Sequence, residues 1–187
     1  MRRLIAFVFL FAGLCGACPP FAEPAAYELD GDHSVLSFHA KTPLHPFTGV
    51  THALQGRLDA DEKLVLSQPA EILIPVATLD TGNKNRDKEM RRMFEADRYP
   101  GILFTARKIV ETAPGRYRIE GSLRIRDIEQ EITMDVEARE YPGFVEVSGS
   151  VPLTTTMFKL KPPSVLGLIR VNENVSVTFQ TRWNLQQ

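Results

Sequence analysis

The segment YRIEGSLRI, residues 117–125, alternates apolar and polar side chains without interruption. Arginine, glutamate and serine occupy its even positions. Strict alternation is the period of a β-strand that buries one face and leaves the other in water, as antiparallel sheets commonly do. The segment therefore predicts such a strand, with these residues on its buried face: Tyr117, Ile119, Gly121, Leu123 and Ile125.

The same alternation recurs on both sides of this segment. Polar turns are predicted at residues 127–130 and 141–143, where Asp, Pro and Gly interrupt the pattern. Together with residues 117–125, these segments make eight strands or slightly more. We therefore predict an all-β fold, an eight-stranded antiparallel barrel, because closure into a barrel removes exposed sheet edges. A sandwich or a barrel without a cavity is the alternative. The further apolar faces cover residues 36–40, 54–58, 72–76, 102–106, 132–138, 145–153 and 175–183.

One segment has a helical period instead. Met90, Met93 and Phe94 fall at i, i+3 and i+4 between charged residues, which predicts one short helix near residues 85–95. The polar residues that precede it include Asn83 and Arg86. Asparagine is a common helix cap, and the arginine could pair with a carboxylate or with the polar head of a ligand. A simple helix start on a surface crossover is the competing interpretation.

The interior of an eight-stranded barrel can be filled by side chains or can hold one small ligand. Gly56, Gly121 and Gly149 fall on inward faces and reduce the filling volume, which favours a cavity. Glycine within a strand can equally mark a bend or a bulge, and this pattern does not separate the two interpretations.

The N-terminus indicates export. Arg2 and Arg3 precede eleven residues, 4–14, without a polar side chain, a length that fits a secretory signal and is too short for a membrane span. We predict a signal peptide over residues 1–22 and one domain over 23–187, in the periplasm. Both cysteines lie in the predicted signal, so the domain has no disulfide. A lipid anchor at Cys18 is a less favoured alternative.

Several classes of function are disfavoured. Removal of residues 1–22 changes the net charge from −1 to −3, which argues against nucleic acid and anionic membrane surfaces as main partners. No nucleophile elbow, phosphate loop or dinucleotide fingerprint occurs, so we assign no catalytic residue and no cofactor, and predict that the protein is not an enzyme. All four histidines lie within residues 33–52, but His33 and His39 would be about 20 Å apart along one strand, so we predict no metal site.

The chain contains three distinctive motifs: Asp32-His33-Ser34-x-x-x-Phe38, Leu79-Asp80-Thr81-Gly82-Asn83-x-x-Arg86-Asp87, and Met93-Phe94-x-Ala96-x-x-Tyr99-Pro100-x-Ile102-x-Phe104. These motifs resemble those of the YceI-like family. The resemblance continues through Gly121-Ser122-Leu123 to the last strand. It implies a lipocalin-like eight-stranded barrel, usually periplasmic, that holds a polyisoprenoid or similar amphiphile in an apolar tunnel and has no established catalytic activity. Arg124 and Asp127 stand where the family usually has threonine and glycine.

Pattern and resemblance together predict an exported protein that sequesters or carries a long-chain amphiphile, such as a polyisoprenoid, a quinone-like lipid or a fatty-acid derivative. The alternative is a non-catalytic accessory module with a vestigial cavity that binds a membrane or periplasmic protein. The sequence does not decide between a monomer and a homodimer. Asn83 and Arg86 are predicted to orient the ligand's head at the mouth, and the residues predicted to hold its tail are Leu36, Phe38, Phe104, Ile119, Met134, Val147 and Phe179.

Overall fold

The fold follows from the alternating segments. In a computed structural model of the chain, residues 25–41, 46–60, 66, 68–161 and 173–186 are described, so the predicted signal peptide and Cys18 lie outside the described residues. Within this part there are nine strands and one α-helix: β1 Ala25–Ala40, β2 Phe47–Thr51, β3 Gln55–Ala60, β4 Ala70–Pro75, α1 Lys84–Met93, β5 Gly101–Ala113, β6 Arg116–Ile125, β7 Ile128–Tyr141, β8 Phe144–Thr154 and β9 Asn174–Leu185. Short 3-10 turns cover Val76–Thr78 and Thr155–Phe158.

The strands form a closed antiparallel barrel. Consecutive strands from β3 to β9 pair with one another, and β9 then pairs with β1 from Tyr27↔Leu185 to Ala40↔Val175. The opposite edge of β1 pairs with β3 in its first part and with β2 in its last part. Eight strands therefore close the barrel, as predicted, and β2 is an extra strand in line with β3. The helix predicted near residues 85–95 is confirmed as α1.

Inward side chains form one core, but register shifts in β5 and β1 interrupt the alternation. The register of β5 skips one residue between Ala106 and Lys108, so Ile109 faces inward although Ile102, Phe104 and Ala106 set the opposite parity. Gly121 lies opposite this bulge, and a Cβ there would be 2.2 Å from the carbonyl oxygen of Thr105. Of the two interpretations of the inward glycines, a bulge therefore applies at this position.

Strand β1 has an irregularity of its own, between Asp30 and Val35. The Asp30 carboxylate accepts hydrogen bonds from Asn184 Nδ2 at 3.1 Å and from the backbone N–H of His33 at 3.2 Å, and its Oδ2 is 2.9 Å from His33 Nδ1. Burial acts to raise the pKa of Asp30, but the hydrogen bonds from Asn184 and His33 outweigh it and lower the pKa below the usual aspartate value. The carboxylate thus ties β1 to β9 while it is ionised.

The β6–β7 turn is shorter than predicted. Ile125 pairs with Ile128, so the turn consists of residues 126 and 127 rather than 127–130. Arg126 has a left-handed backbone (φ 59°), and its guanidinium donates to the carbonyl of Met93 at 3.3 Å and lies 3.1 Å from Glu95 Oε1. Alternation had placed Arg126 on the wet face of β6. Because the turn redirects it, its side chain instead holds the end of α1 against this end of the barrel.

The outward faces of β5, β6 and β7 carry exposed ion pairs, including Arg118–Asp135 at 2.8 Å and Arg107–Glu131 at 2.7 Å. Exposed pairs of this kind contribute little to stability and mainly keep the surface solvated. Ser122 is an exception to the predicted wet face, because it is buried. The guanidinium of Arg107 covers it and donates to its hydroxyl at 3.0 Å.

Candidate functional site

A cavity of about 820 Å³ lies inside the barrel. All nine strands contribute to its wall. Met90 and Met93 of α1, with Phe94 directly after the helix, add to it at the end of the barrel where β4, β6 and β8 end. The volume is within the range of roughly 300–1,000 Å³ that is typical of small-molecule sites. The interior is therefore not simply filled by side chains, and the barrel can accommodate a ligand.

Polar groups of the lining are concentrated at the α1 end. Thr181 is the exception, and its hydroxyl is satisfied within the wall: it donates to the carbonyl of Val147 at 3.3 Å and accepts from Trp183 Nε1 at 3.0 Å. The remaining depth is lined by aliphatic and aromatic side chains. Among the described residues, the polar members of the lining at the α1 end are Asn83, Asn85, Arg86, Glu89, Thr154 and Thr155.

All nine residues predicted to contact the ligand line this one cavity. Leu36 and Phe38 come from β1, and the other apolar ones come from five different strands, β5 to β9. Asn83 and Arg86 lie at the α1 end, as expected for the mouth. Both Asn83 and Asn85 are also exposed to solvent, so the cavity reaches the surface beside the start of α1. Contact between these nine residues and a ligand stays a prediction.

The loop that precedes α1 is held by side chains of the helix. Asn83 caps the helix, because its side-chain oxygen accepts from the backbone N–H groups of Asn85 and Arg86, both at 3.1 Å. Asp87 is buried and accepts from the backbone N–H of Thr81 at 3.0 Å and from the Thr81 hydroxyl. These bonds fix Asn83 and Arg86 in place beside the cavity.

Arg86 is positioned by three contacts. Its Nε donates to Thr81 Oγ1 and its Nη2 donates to the Thr81 carbonyl, both at 2.9 Å. Its guanidinium carbon lies 4.3 Å from the centre of the Phe47 ring, a cation–π geometry. Within the described residues no carboxylate forms an ion pair with Arg86, whereas Glu89 pairs with Arg92 at 2.8 Å. Arg86 is therefore an oriented cation that keeps donor capacity for another partner.

Aromatic residues at this end pack against one another. The Phe38 and Phe47 rings are 6.3 Å apart and almost perpendicular, the favoured edge-to-face arrangement. A Cβ on Gly49 would lie 2.2 Å from the Phe38 ring, so glycine is required there for the ring to lie across β2. Phe38 is thereby directed over the cavity near its mouth.

Sequence reasoning did not include several of the lining residues in the site. The spacing of Met90, Met93 and Phe94 predicted the helix but not that its apolar face would close the end of a cavity. Trp183 was predicted on the inward face of β9 but was given no role. Ile109 was not predicted to face inward, because the β5 bulge reverses the alternation before it. The helical period together with a barrel predicted as hollow was the signal that could have identified the first three.

The lining holds few groups suited to catalysis. Of the lining residues that the structure describes, the titratable ones are Arg86 and Glu89, both at the α1 end. No group of three or more histidine, cysteine, aspartate or glutamate residues that could hold a metal ion occurs in the described ranges. His33 contacts Asp30, His39 contacts Thr48, and His45 lies outside the described residues.

A closed antiparallel barrel with an apolar cavity and a helix at one end defines a lipocalin-like, binding-protein fold. Comparison with known families agrees. The chain belongs to the YceI-like family, because the YceI-like domain matches residues 27–183. A UPF0312 protein of Vibrio parahaemolyticus is 25% identical over 126 residues, which is 65% of this chain and 67% of that protein.

Solved structures show the same fold. BcnA of Burkholderia cenocepacia superposes with a TM-score of 0.73 at 21% identity, over 82% of this chain and 98% of that one. A polyisoprenoid binding domain from Saccharophagus degradans superposes with a TM-score of 0.67 at 19% identity, over 87% of this chain and 99% of that one. The YceI protein of Campylobacter jejuni gives a TM-score of 0.61 at 19% identity, over 72% and 82% of the two chains.

Proposed function

We propose that this protein binds one long-chain amphiphile, a polyisoprenoid, a quinone-like lipid or a fatty-acid derivative, with its tail in the barrel and its head at the α1 end. The observation that carries the proposal is the segregation of the lining: polar and charged groups are at one end, and the depth is apolar. A ligand with one polar head and a long apolar tail matches this distribution. The polyisoprenoid binding neighbour supports the same class of ligand.

Burial of the tail supplies the binding energy. Each methylene moved from water into an apolar site contributes ~0.8 kcal/mol. An unsatisfied polar group in the wall would oppose this, since its desolvation is unfavourable. The one deep polar side chain among the described lining residues, Thr181, is already paired within the wall. A hydrocarbon chain can therefore occupy the depth without stranding a polar group.

The mouth favours a head with hydrogen-bond acceptors. Arg86 offers donors that its contacts with Thr81 leave unused, and its charge has no carboxylate partner among the described residues. The side-chain oxygen of Asn83 is taken by the helix cap, which leaves its NH₂ group as the free part of the amide. Both residues thus present donors, and a carbonyl, carboxylate or phosphate oxygen is the complementary group.

A carrier outside the cytoplasm is the role we propose, with residues 1–22 acting as an export signal and residues 23–187 as the working domain. The predicted signal and the family support this location. Within the residues that the structure describes, no helix has the length and hydropathy that a membrane span requires. The scarcity of titratable groups in the lining supports binding rather than catalysis. The protein would then store the lipid or move it across the periplasm.

The test is purification of the exported protein under native conditions, followed by solvent extraction and mass spectrometry. We expect a near-stoichiometric amphiphile with one long apolar chain. Protein that is repeatedly free of lipid, even from a membrane-rich host, would contradict the proposal. That result would favour the accessory module with a vestigial cavity, and a search for its protein partner would follow.

A further inference from the structure

Trp183 has an unusual position in the barrel. It is 6% exposed, lies on β9 and lines the cavity at the end away from α1. The Cη2 atom of its ring is 3.2 Å from the position that a Cβ on Gly56 of β3 would occupy. Because β9 and β3 pair with opposite edges of β1, the indole ring crosses the inside of β1 to reach β3.

Two features hold the ring in this crossing orientation. The indole N–H donates to Thr181 Oγ1 at 3.0 Å, which sets the direction of the ring. The absent side chain at Gly56 provides the space for its far edge. A buried Trp N–H usually finds a hydrogen-bond partner, and here the partner lies on the same strand, so the bond fixes the ring against the wall.

The cavity ends at this ring on the β9 side of the barrel. Leu185, the next residue of β9 with the same parity, is 42% exposed and does not line the cavity. Tyr27, which pairs with Leu185 and with Leu58, packs against the core but is also absent from the described lining. Trp183 is thus the last lining residue of β9 before the end of the barrel opposite α1, while on β3 the lining continues past Gly56 to Leu58.

We propose that Trp183 is the floor of the cavity and determines the longest tail that the protein can enclose. This inference rests on the proposed binding function and adds a rule for chain length. Within the cavity each added methylene should raise affinity about fourfold, which is ~0.8 kcal/mol at ~1.4 kcal/mol per decade. Once the tail reaches the indole ring, further methylenes stay outside and the affinity should stop rising.

The test measures dissociation constants for a homologous series of straight-chain fatty acids with delipidated protein. In the wild type we expect a steep rise with chain length followed by a plateau. Trp183→Leu should move the start of the plateau to longer chains, with about a fourfold gain for each methylene that the variant newly encloses. Leu185→Ala is the matched control on the same strand, and it should leave the plateau where it is.

The outcomes separate the two proposals. Absence of binding to any chain length in the wild type, in protein that also yields no lipid on solvent extraction, contradicts the proposed function itself. Binding with a plateau that is identical in the wild type and in folded Trp183→Leu contradicts the floor but leaves the binding function standing.

A second measurement needs no variant. Trp183 is the single tryptophan of the chain, so its fluorescence reports on one place. A spin label on the terminal carbon of a fatty acid of plateau length should quench it more strongly than a label beside the carboxyl group. Equal quenching by the two labels, or stronger quenching by the label near the head, would overturn the assignment of Trp183 as the floor.

Discussion

Phe104→Asp places a carboxylate where the tail of the ligand should lie. Phe104 of β5 is buried and lines the cavity. It pairs with Ile72 on β4 and with Leu123 on β6. Without lipid, water in the cavity can solvate the new charge. With lipid bound, that water is displaced, and enclosing an unpaired ion costs several kcal/mol. A penalty of ~4 kcal/mol lowers the affinity about a thousandfold at ~1.4 kcal/mol per decade.

The assay is equilibrium binding of a fluorescent or radiolabelled fatty acid to delipidated protein at a series of pH values. Burial in apolar surroundings raises the pKa of an aspartate, so the new carboxyl becomes neutral well above the ordinary value of about 3.9. The loss of affinity in Phe104→Asp should therefore be largest at pH 8 and should shrink toward pH 5. Wild-type protein supplies the reference at each pH.

Two control variants accompany this measurement. Phe104→Leu keeps an apolar side chain and should retain most of the binding. Thr105→Asp adds the same charge to the next residue of β5, which faces out of the barrel, and should bind as the wild type does. Phe104→Asp protein with native circular dichroism and wild-type affinity at pH 8 would refute the cavity as the binding site.

Three further predictions concern the mouth, the β5 bulge and β1. Arg86→Met should weaken binding of a fatty acid about ten- to a hundredfold, because a hydrogen bond to a charged group contributes ~1.5–3 kcal/mol. The control Lys88→Met, on the same helix, should leave the affinity unchanged. Equal binding titration curves for the two variants would exclude a headgroup role for Arg86. Gly121→Ala should lower the free energy of unfolding by about 1–3 kcal/mol in urea denaturation, since the new Cβ collides with the carbonyl of Thr105. An unchanged urea midpoint would contradict the close approach of the Gly121 and Thr105 backbones. Asp30 has a lowered pKa, so its ionised form contributes stability above about pH 3.9, and this stability is lost as the pH falls through the folded-state pKa. The free energy of unfolding of Asp30→Asn should therefore be lower than that of the wild type at pH 7, and the two values should converge in acid. A constant difference across this pH range would contradict the linkage.

Local patterns were sufficient for the strands and the helix, because burial on one side imposes a period that is visible in consecutive residues. The alternation in residues 117–125 and the i, i+3, i+4 spacing of Met90, Met93 and Phe94 were confirmed by β6 and α1. These local patterns failed to predict which side chains face inward where the strand pairing shifts register. Between Ala106 and Lys108 lies a bulge that depends on how β5 pairs with β6, and no periodicity within β5 alone shows it.

The candidate site divides in the same way. The apolar tail residues could be chosen from the sequence, since an inward position on any strand of a closed barrel points into the same interior. The motif before the helix indicated Asn83 and Arg86, and both lie at the cavity mouth. The Arg86–Thr81 bonds are local, but the contact of Arg86 with the Phe47 ring depends on β2, which is more than thirty residues away from the helix.

By itself the sequence determined strands with one apolar face and one helix, since those features follow from local alternation and spacing. It predicted that the strands close into a barrel, but the pairing of β1 with β9 that closes the barrel joins the two ends of the domain and is not a local property. The tertiary structure alone decided the shape and the ends of the cavity. Arg126 holds α1 at one end, and Trp183 reaches Gly56 across β1 at the other. These contacts join residues that are distant along the chain, and their geometry arises only when the barrel closes. Depth and polarity of the cavity are therefore properties of the closed barrel rather than of any segment.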